Sequence, residues 1–518
     1  MKSIEKRNSD KEKVDGKKGL PPLEVLMAIF IPLLVVVSAL LFKLAHNFIM
    51  DSDSLWSIAV GGWINTHGTV PYADMFSWTV AGEQWTSNSW LFCWLMYWAD
   101  QYMGYLGIAL LIFIPCLITG YFLFLLCKSY QDSPFAILAF LLGISLLIFV
   151  AVQPRAYVYT FAFIAIIMFL IRFKRDTKLI YFIPIVFLIW ANIQTSIRFG
   201  FVIIFIEALV GTIFHKDKKL WPVVILSFLA TLINPYGFGL WDISFSSYVD
   251  VGTQFITEWR APDFNNMVLL GLYSIMFLIG LLGLSRLKDD INNKVYDLDK
   301  VMILFWFMAA FIYSLTTQRA IAYVILLVGP CFVAYASKSQ KESPIIKVTV
   351  IVLVVLLFVL SLVSSLPQLP LITDHHDGTP VNFVEYLQKN QTLHQNVAHI
   401  IPSGAVNYLE ENPALLDRLF NSYIFGGYLT LNNIKVFIDA RESVFTRHSV
   451  TEDYMNIISM DVKPEKIIDK YNINTFLLSE DERLIFYLEL HPEWEKMYED
   501  EVAVVYSRNG PVEGRSVK

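Results

Sequence analysis

Apolar runs of about 20 residues, the length of helix that crosses the hydrocarbon of a bilayer, recur along most of this chain. Eleven such runs can be counted, at 24–44, 104–127, 134–152, 157–171, 179–194, 199–214, 220–234, 268–284, 301–317, 320–336 and 346–366. They predict a polytopic α-helical membrane protein of about eleven spans. The pattern is interrupted early by MDSDSLWSIAVGGWINTHGTVPYADMFSWTVAGEQW, Met50 to Trp85, which holds four carboxylates and no Lys or Arg. Its first part, SLWSIAVGGWI (54–64), reads as a short amphipathic helix with Trp56 and Trp63 at headgroup depth. HGTVPYADMFSW (67–78) is a turn-rich crossing with Gly68, Pro71 and Asp74. SWLFCWLMYWA (89–99) is apolar but ends at Asp100, too short to span, and reads as a second interfacial helix. Helix, turn and helix together predict a platform lying on the membrane.

A second change comes near residue 367, where ordinary globular alternation begins. IKVFIDAR (434–441), INTFLLS (473–479) and EVAVVYSR (501–508) read as strands. PEKIIDKY (464–471) and DERLIFYLEL (481–490) read as helices. The chain therefore divides into a basic tail (1–21), a transmembrane domain (22–366) and a small α/β domain (367–518).

Composition and charge sharpen this picture. The 518 residues are 55% hydrophobic and the mean hydropathy is +0.52, outside the range of soluble globular proteins. Residues 367–518 carry 23 acidic and 13 basic side chains, and the remainder 23 and 27. The first twenty residues hold seven Lys or Arg. Val25 to Phe42 is longer than the apolar region of a cleaved signal, so the first span is read as retained. KSYQD (128–132), RFKRDTK (172–178), HKDKK (215–219), the Arg286–Lys300 loop and KSQKESPIIK (338–347) all carry Lys or Arg, whereas residues 45–126 carry none. By the positive-inside rule the N-terminus is cytoplasmic and the C-terminal domain is outside. Cys93, Cys116, Cys127 and Cys331 all sit in apolar stretches without metal-ligand spacing, which predicts small buried hydrophobes and no disulfide framework.

Against the topological bias, nearly every loop expected outside keeps one arginine and no lysine: Arg155 in VQPRAY, Arg198 in QTSIRFG, Arg260 in ITEWRAP and Arg319 in TTQRAIAY. A guanidinium offers a planar fork to phosphate or carboxylate that lysine does not. Each could instead pair with a local carboxylate or snorkel to the interface. Asp51 and Asp53 follow the first span. Either could cap the next helix, and the Asp51-x-Asp53 pair could hold a divalent cation. Together, loop carboxylates, arginines and aromatic side chains suit glycosyl transfer from a lipid phosphate. The phosphate wants guanidiniums, the acceptor hydroxyl wants a base, and sugar wants aromatic faces. A phosphate leaving group needs no strong acid, so one base suffices, unlike the carboxylate pair of glycoside hydrolysis. Glu258 could orient an arginine or bind a sugar hydroxyl, or pair with Arg260. The NPYG at 234–237 is a turn signal. Asp439, Arg441 and Glu442 suit a turn or domain contact, with sugar binding as the alternative.

This order of parts resembles the GT-C superfamily of membrane glycosyltransferases, which includes protein O-mannosyltransferases, aminoarabinose transferases and oligosaccharyltransferases. A narrower, little-characterised bacterial group within it is similar in DSLWSIAVGGWI from Asp53, GTVPYADMFSWT from Gly68, WL at 90–91, LIWANIQTS from Leu188, NPYG from Asn234, EW at 258–259, QRA from Gln318, FGGYL from Phe425 and VFIDAR from Val436. Where that group carries His, Glu and His, this chain has Ser57, Ser89 and Gln194. The resemblance implies an inverting transferase in a bacterial cell membrane. It would use a polyprenyl-phosphate-linked sugar and a surface glycan, lipid or protein acceptor on the outer face, with the bilayer and not nucleic acid as its setting. It implies Asp53 as catalytic base, with Asp51 as its neighbour and fallback. Arg155, Arg198, Glu258, Arg260, Arg319, Asp74 and Gln194 are expected around the substrate. The resemblance fixes no cofactor and leaves a divalent cation open. The alternatives are a flippase for a lipid-linked sugar, which needs the arginines but no base, and a non-catalytic scaffold presenting an external binding domain.

Overall fold

The computed structural model describes Phe30 and residues 33–41, 52–130, 134–246, 257–294, 297–335 and 401–508. Asp51, the basic tail and the expected span at 346–366 lie outside the described residues, as does most of the expected span at 24–44. Each apolar run within them became a helix. Leu106–Tyr130, Ile197–His215, Met267–Asn292 and Gln318–Tyr335 are long and apolar enough to cross a membrane, which makes this a multi-pass membrane protein. Val158–Phe173, Lys178–Ile193 and Leu220–Thr231 are apolar but shorter. At 1.5 Å per residue, a helix of 16 residues reaches only about 24 Å, so the eleven runs are not eleven full-length spans. Phe92, Phe140, Phe187, Trp190 and Phe307 are fully buried among the helices.

One charged cluster is enclosed by the bundle. Arg172 pairs with Glu207 and, at 3.2 Å, with Asp299, and the Trp306 indole donates to Glu207 at 2.9 Å. Arg172 had read as a loop arginine. Its side chain is instead 3% exposed, a position tolerable only because it is paired and hydrogen-bonded.

The platform forms as two crossing helices. Ser52–His67 stops where Gly68 adopts φ 65° and its N–H reaches the Ile64 carbonyl at 2.9 Å, the left-handed ending that glycine favours. The segment Trp90–Tyr130 is broken at Gly104, whose φ 54° and ψ −136° are not helical, so the expected short helix at 89–99 and the following span, Leu106–Tyr130, are two helices joined at that kink. The two platform helices meet at Gly61, where an added Cβ would overlap the Cys93 carbonyl.

The C-terminal domain carries a four-stranded sheet in the order β1-β2-β4-β3, from Leu419–Asn421 (β1), Thr475–Ser479 (β2), Trp494–Glu499 (β3) and Ala503–Arg508 (β4). β1 runs parallel to β2, and the other pairings are antiparallel. The helix expected at 464–471 is present as Pro464–Tyr471, and the one expected at 481–490 is shorter, Leu484–Leu490. The strand expected at 434–441 is not in the sheet. Val436 forms an isolated parallel bridge with Ser77 of the first loop instead.

That loop is stitched to the C-terminal domain. Trp78 N–H donates to Val436 O at 3.1 Å and Val436 N–H to Phe76 O at 3.1 Å. The Trp78 indole reaches Leu419 O at 2.9 Å, and Thr79 Oγ1 donates to Phe437 O at 2.7 Å. The short helix Gly426–Leu431 packs on Ser52–His67, with Gly427 N–H donating to Ser52 Oγ at 2.9 Å. A Cβ on Gly427 would strike the Ser52 carbonyl, so only glycine allows this approach.

Candidate functional site

Asp53 lies in the first turn of Ser52–His67, where the helix dipole favours an anion. Its Oδ2 is 2.9 Å from Arg155 Nη1, and its Oδ1 accepts from the Trp56 indole at 3.1 Å. Trp56 is held edge-on to Trp85, centroids 6.4 Å apart. Ser57, which stands where the similar group has histidine, donates to the Asp53 carbonyl at 2.6 Å. Arg155 sits in the tight turn before Val158–Phe173, and that turn is tied to the platform by Ser54 Oγ donating to Pro154 O at 3.2 Å.

Arg155 Nη1 also lies 3.6 Å from Glu258 Oε2. Glu258 belongs to the short turn Thr257–Trp259, which docks on the turn before Ile321–Tyr335. Thr317 Oγ1 donates to Glu258 O at 3.1 Å, and Gln318 N–H to Arg260 O at 2.8 Å. This docking places the Arg319 guanidinium 4.8 Å from the Tyr157 ring centre and 5.2 Å from that of Trp259, within cation–π range. Three inter-helix turns and the platform helix thus gather Asp53, Arg155, Glu258 and Arg319. Asp53 is 27% exposed, Arg155 19% and Glu258 41%, so the cluster is reachable.

The C-terminal domain adds two groups. Tyr423 O–H donates to Glu442 Oε2 at 3.5 Å, and Thr446 Oγ1 to Glu442 Oε1 at 3.2 Å. Burial pushes the Glu442 carboxyl up to about 7, and the charge of Asp53 adds to the rise while Thr446, Thr451 and Tyr423 oppose it. Burial likewise pushes the Tyr423 phenol well up, with Glu442 and Asp53 adding to the rise and Arg155 opposing it. The folded-state value of Glu442 lies above its unfolded one. Its ionisation therefore costs nothing below the unfolded value and destabilises the fold increasingly as pH rises toward 7. Stability should fall between pH 5 and pH 7, by at most about 1.4 kcal/mol per pH unit from this one proton. Glu442→Gln should flatten that slope in thermal unfolding, and an unchanged slope would contradict the assignment.

The remaining expected residues are placed as follows. Arg260 is exposed beside Glu258. Arg198 lies over the Phe199 ring at 4.9 Å, and Phe199 packs on Tyr323, in the helix that follows Arg319, with centroids 4.9 Å apart. Gln194 ends the helix Ile183–Ile193, its side chain accepting from Ser196 N–H. Asp74 is engaged elsewhere: its carboxylate is fully buried, paired with Arg441 and bonded to Ser77 Oγ at 2.6 Å. Arg441 also pairs with Asp439 at 2.9 Å, and the rings of Phe76 and Trp85 lie 5.0 and 4.9 Å from its guanidinium. Asp74 therefore locks loop to domain. Among the described residues no group of three or more His, Cys, Asp or Glu side chains could hold a metal ion.

No protein-family model and no curated protein matches the chain. Solved structures do. The archaeal oligosaccharyltransferase AglB from Archaeoglobus fulgidus, in complex with an inhibitory peptide and a dolichol-phosphate, aligns with TM-score 0.55 and 12% identity over 87% of this chain and 69% of that one. The apo form of the Archaeoglobus fulgidus oligosaccharyltransferase aligns with TM-score 0.50 and 13% identity over 86% and 69%. The chain has a GT-C-like fold over most of its length.

Proposed function

We propose that the chain is an inverting glycosyltransferase that moves a sugar from a polyprenyl-phosphate carrier to an acceptor hydroxyl on the outer face of a cell membrane. The observation that carries this reading is the meeting of Asp53, Arg155, Glu258 and Arg319 from separate elements at one accessible place. A single base with cations beside it is what transfer from a lipid phosphate requires. Asp53 takes the acceptor proton as the acceptor oxygen bonds to the anomeric carbon. The bond from that carbon to the phosphate oxygen breaks with its electron pair, and the guanidiniums of Arg155 and Arg319 stabilise the charge left on phosphate. Glu258 orients Arg155. Trp56 fixes the Asp53 carboxylate, leaving its accessible edge for the hydroxyl.

Support from outside the site comes from the shared fold with a structure that holds a dolichol-phosphate. The Lys/Arg excess in the loops read as cytoplasmic supports an outward position for this end of the bundle, with the C-terminal domain. The test is transfer of label from a radiolabelled polyprenyl-phosphate sugar by the purified protein in liposomes. Labelled product in an acceptor-dependent yield is expected, and donor binding without any transfer would favour a flippase.

A further inference from the structure

The C-terminal domain holds a second feature that the Asp53 cluster does not use. At the carboxyl ends of the parallel strands β1 and β2 opens a cleft of about 450 Å³, lined among others by Tyr423, Tyr454, Ile458, Asp481, Glu482 and Arg483. Crevices at the carboxyl ends of parallel strands are a recurrent ligand position, because the chain diverges there and leaves backbone and loop side chains facing a gap.

The walls are fixed. Tyr454 stacks on Phe420, centroids 5.5 Å apart at 16°, and its O–H accepts from Tyr423 N–H at 2.9 Å. Glu482 Oε1 accepts from Ser422 Oγ at 2.9 Å, and that hydroxyl in turn accepts from Ser479 N–H at 2.9 Å. Asp481 and Arg483 are exposed at the rim. The lining therefore combines aromatic faces and one aliphatic side with both signs of charge. A lipid tail would find too many charges here. A phosphate group would meet two carboxylates for one guanidinium. A chain of hydroxyls is suited, because carboxylates accept and a guanidinium donates to vicinal hydroxyls while aromatic faces cover the apolar side of a pyranose ring. The volume lies within the range of small-molecule sites.

Tyr423 connects this cleft to the cluster: it lines the cleft, and its phenol is bonded to Glu442, on the segment that reaches the platform through Gly427 and Ser52. We propose that the cleft binds a neutral saccharide, the acceptor's glycan end, and delivers its next hydroxyl past Tyr423 toward Asp53. The saccharide site stands on the cleft alone, whereas its use as an acceptor site rests on the transferase reading.

The experiment is ligand-observed saturation-transfer NMR on the full chain in nanodiscs, with glucose, galactose and mannose trisaccharides as probes. At least one trisaccharide should bind the wild type and Asp53→Asn alike, and bind Arg483→Ala and Glu482→Gln at least roughly tenfold more weakly, the loss expected for a charged hydrogen bond. Arg483 is exposed, so that variant stays folded even if Glu482→Gln does not. Absence of trisaccharide binding to the wild type, or equal binding by Arg483→Ala, overturns the cleft. If a trisaccharide binds with this pattern while the wild type transfers no label from a polyprenyl-phosphate sugar, the saccharide site stands and the transferase reading falls.

Discussion

Asp53→Asn should leave a folded protein that binds donor and transfers sugar about 10²–10⁴-fold more slowly. Asparagine keeps the size of the side chain and still accepts the Trp56 indole hydrogen bond, but it cannot take a proton from a hydroxyl. The helix Ser52–His67 is anchored independently, through Ser54 to Pro154 and through Ser52 to Gly427. The loss should therefore fall on the rate of transfer and not on folding. Arg155 also loses its 2.9 Å partner, while its second carboxylate, Glu258 at 3.6 Å, remains. The donor phosphate then faces a net more positive site, so donor KM should not rise as kcat collapses; an equal loss in kcat and kcat/KM is the signature of an interaction made only in the transition state. Single-turnover transfer in liposomes, with donor binding measured in parallel, checks both halves. Equal rates for wild type and Asp53→Asn would remove the base.

The second large effect concerns the joint between loop and domain. Arg441→Met should destabilise the protein by about 3–5 kcal/mol, because it strands two buried carboxylates without their cation. Asp74, Asp439 and Arg441 side chains are all 0% exposed, so no solvent can replace the guanidinium. Burial already pushes the Asp439 carboxyl up, with Arg441 the main opposing influence. Without Arg441 it rises further, and the Asp439 carboxyl is then tolerated only when protonated. The sign follows: the variant should be least impaired near pH 5 and lose stability as pH rises. Asp74→Asn should cost less, about 1–3 kcal/mol, since Arg441 keeps Asp439. Melting of the purified protein across pH 5–8 measures the difference, and a pH-independent Arg441→Met midpoint equal to that of the wild type would contradict the buried lock.

The membrane-body helices were legible because each is an apolar run bounded by charges or turn residues, and hydrophobic periodicity is a local property. Their lengths as crossings were less so: Val158–Phe173 and Leu220–Thr231 are apolar enough but short. In the C-terminal domain β2 and β4 read correctly from their FLL and VVY runs, respectively. WEKMYE, which forms β3, hides its strand character because an edge strand exposes most of its side chains. VFIDAR misled for the opposite reason: Val436, Phe437 and Ile438 are all fully buried, yet between Trp78 of the first loop and Phe420 of β1 and not as a strand of the sheet. No local pattern distinguishes those two burials.

The candidate site was legible in part. Arg155 and Arg319 stood out as cations against the topological bias, and Asp53 and Glu258 as loop carboxylates that the resemblance also marks. Asp74 was expected around the substrate and is a strut instead, which no local pattern shows because its partner Arg441 lies 367 positions away in sequence. Tyr423 had no signal of its own, and Glu442 read first as part of a turn. Their approach to Asp53 depends on Gly427 docking against Ser52, a long-range contact whose one trace in the sequence is the doubled glycine of FGGY.

The gathering of guanidiniums beside Asp53 is tested most directly by imaging the full chain in nanodiscs with polyprenyl phosphate bound. The phosphate oxygens should lie about 3 Å from the guanidinium of Arg155 or Arg319, beside Asp53 and below Tyr423. A phosphate held elsewhere on the bundle, with both guanidiniums untouched, would contradict it.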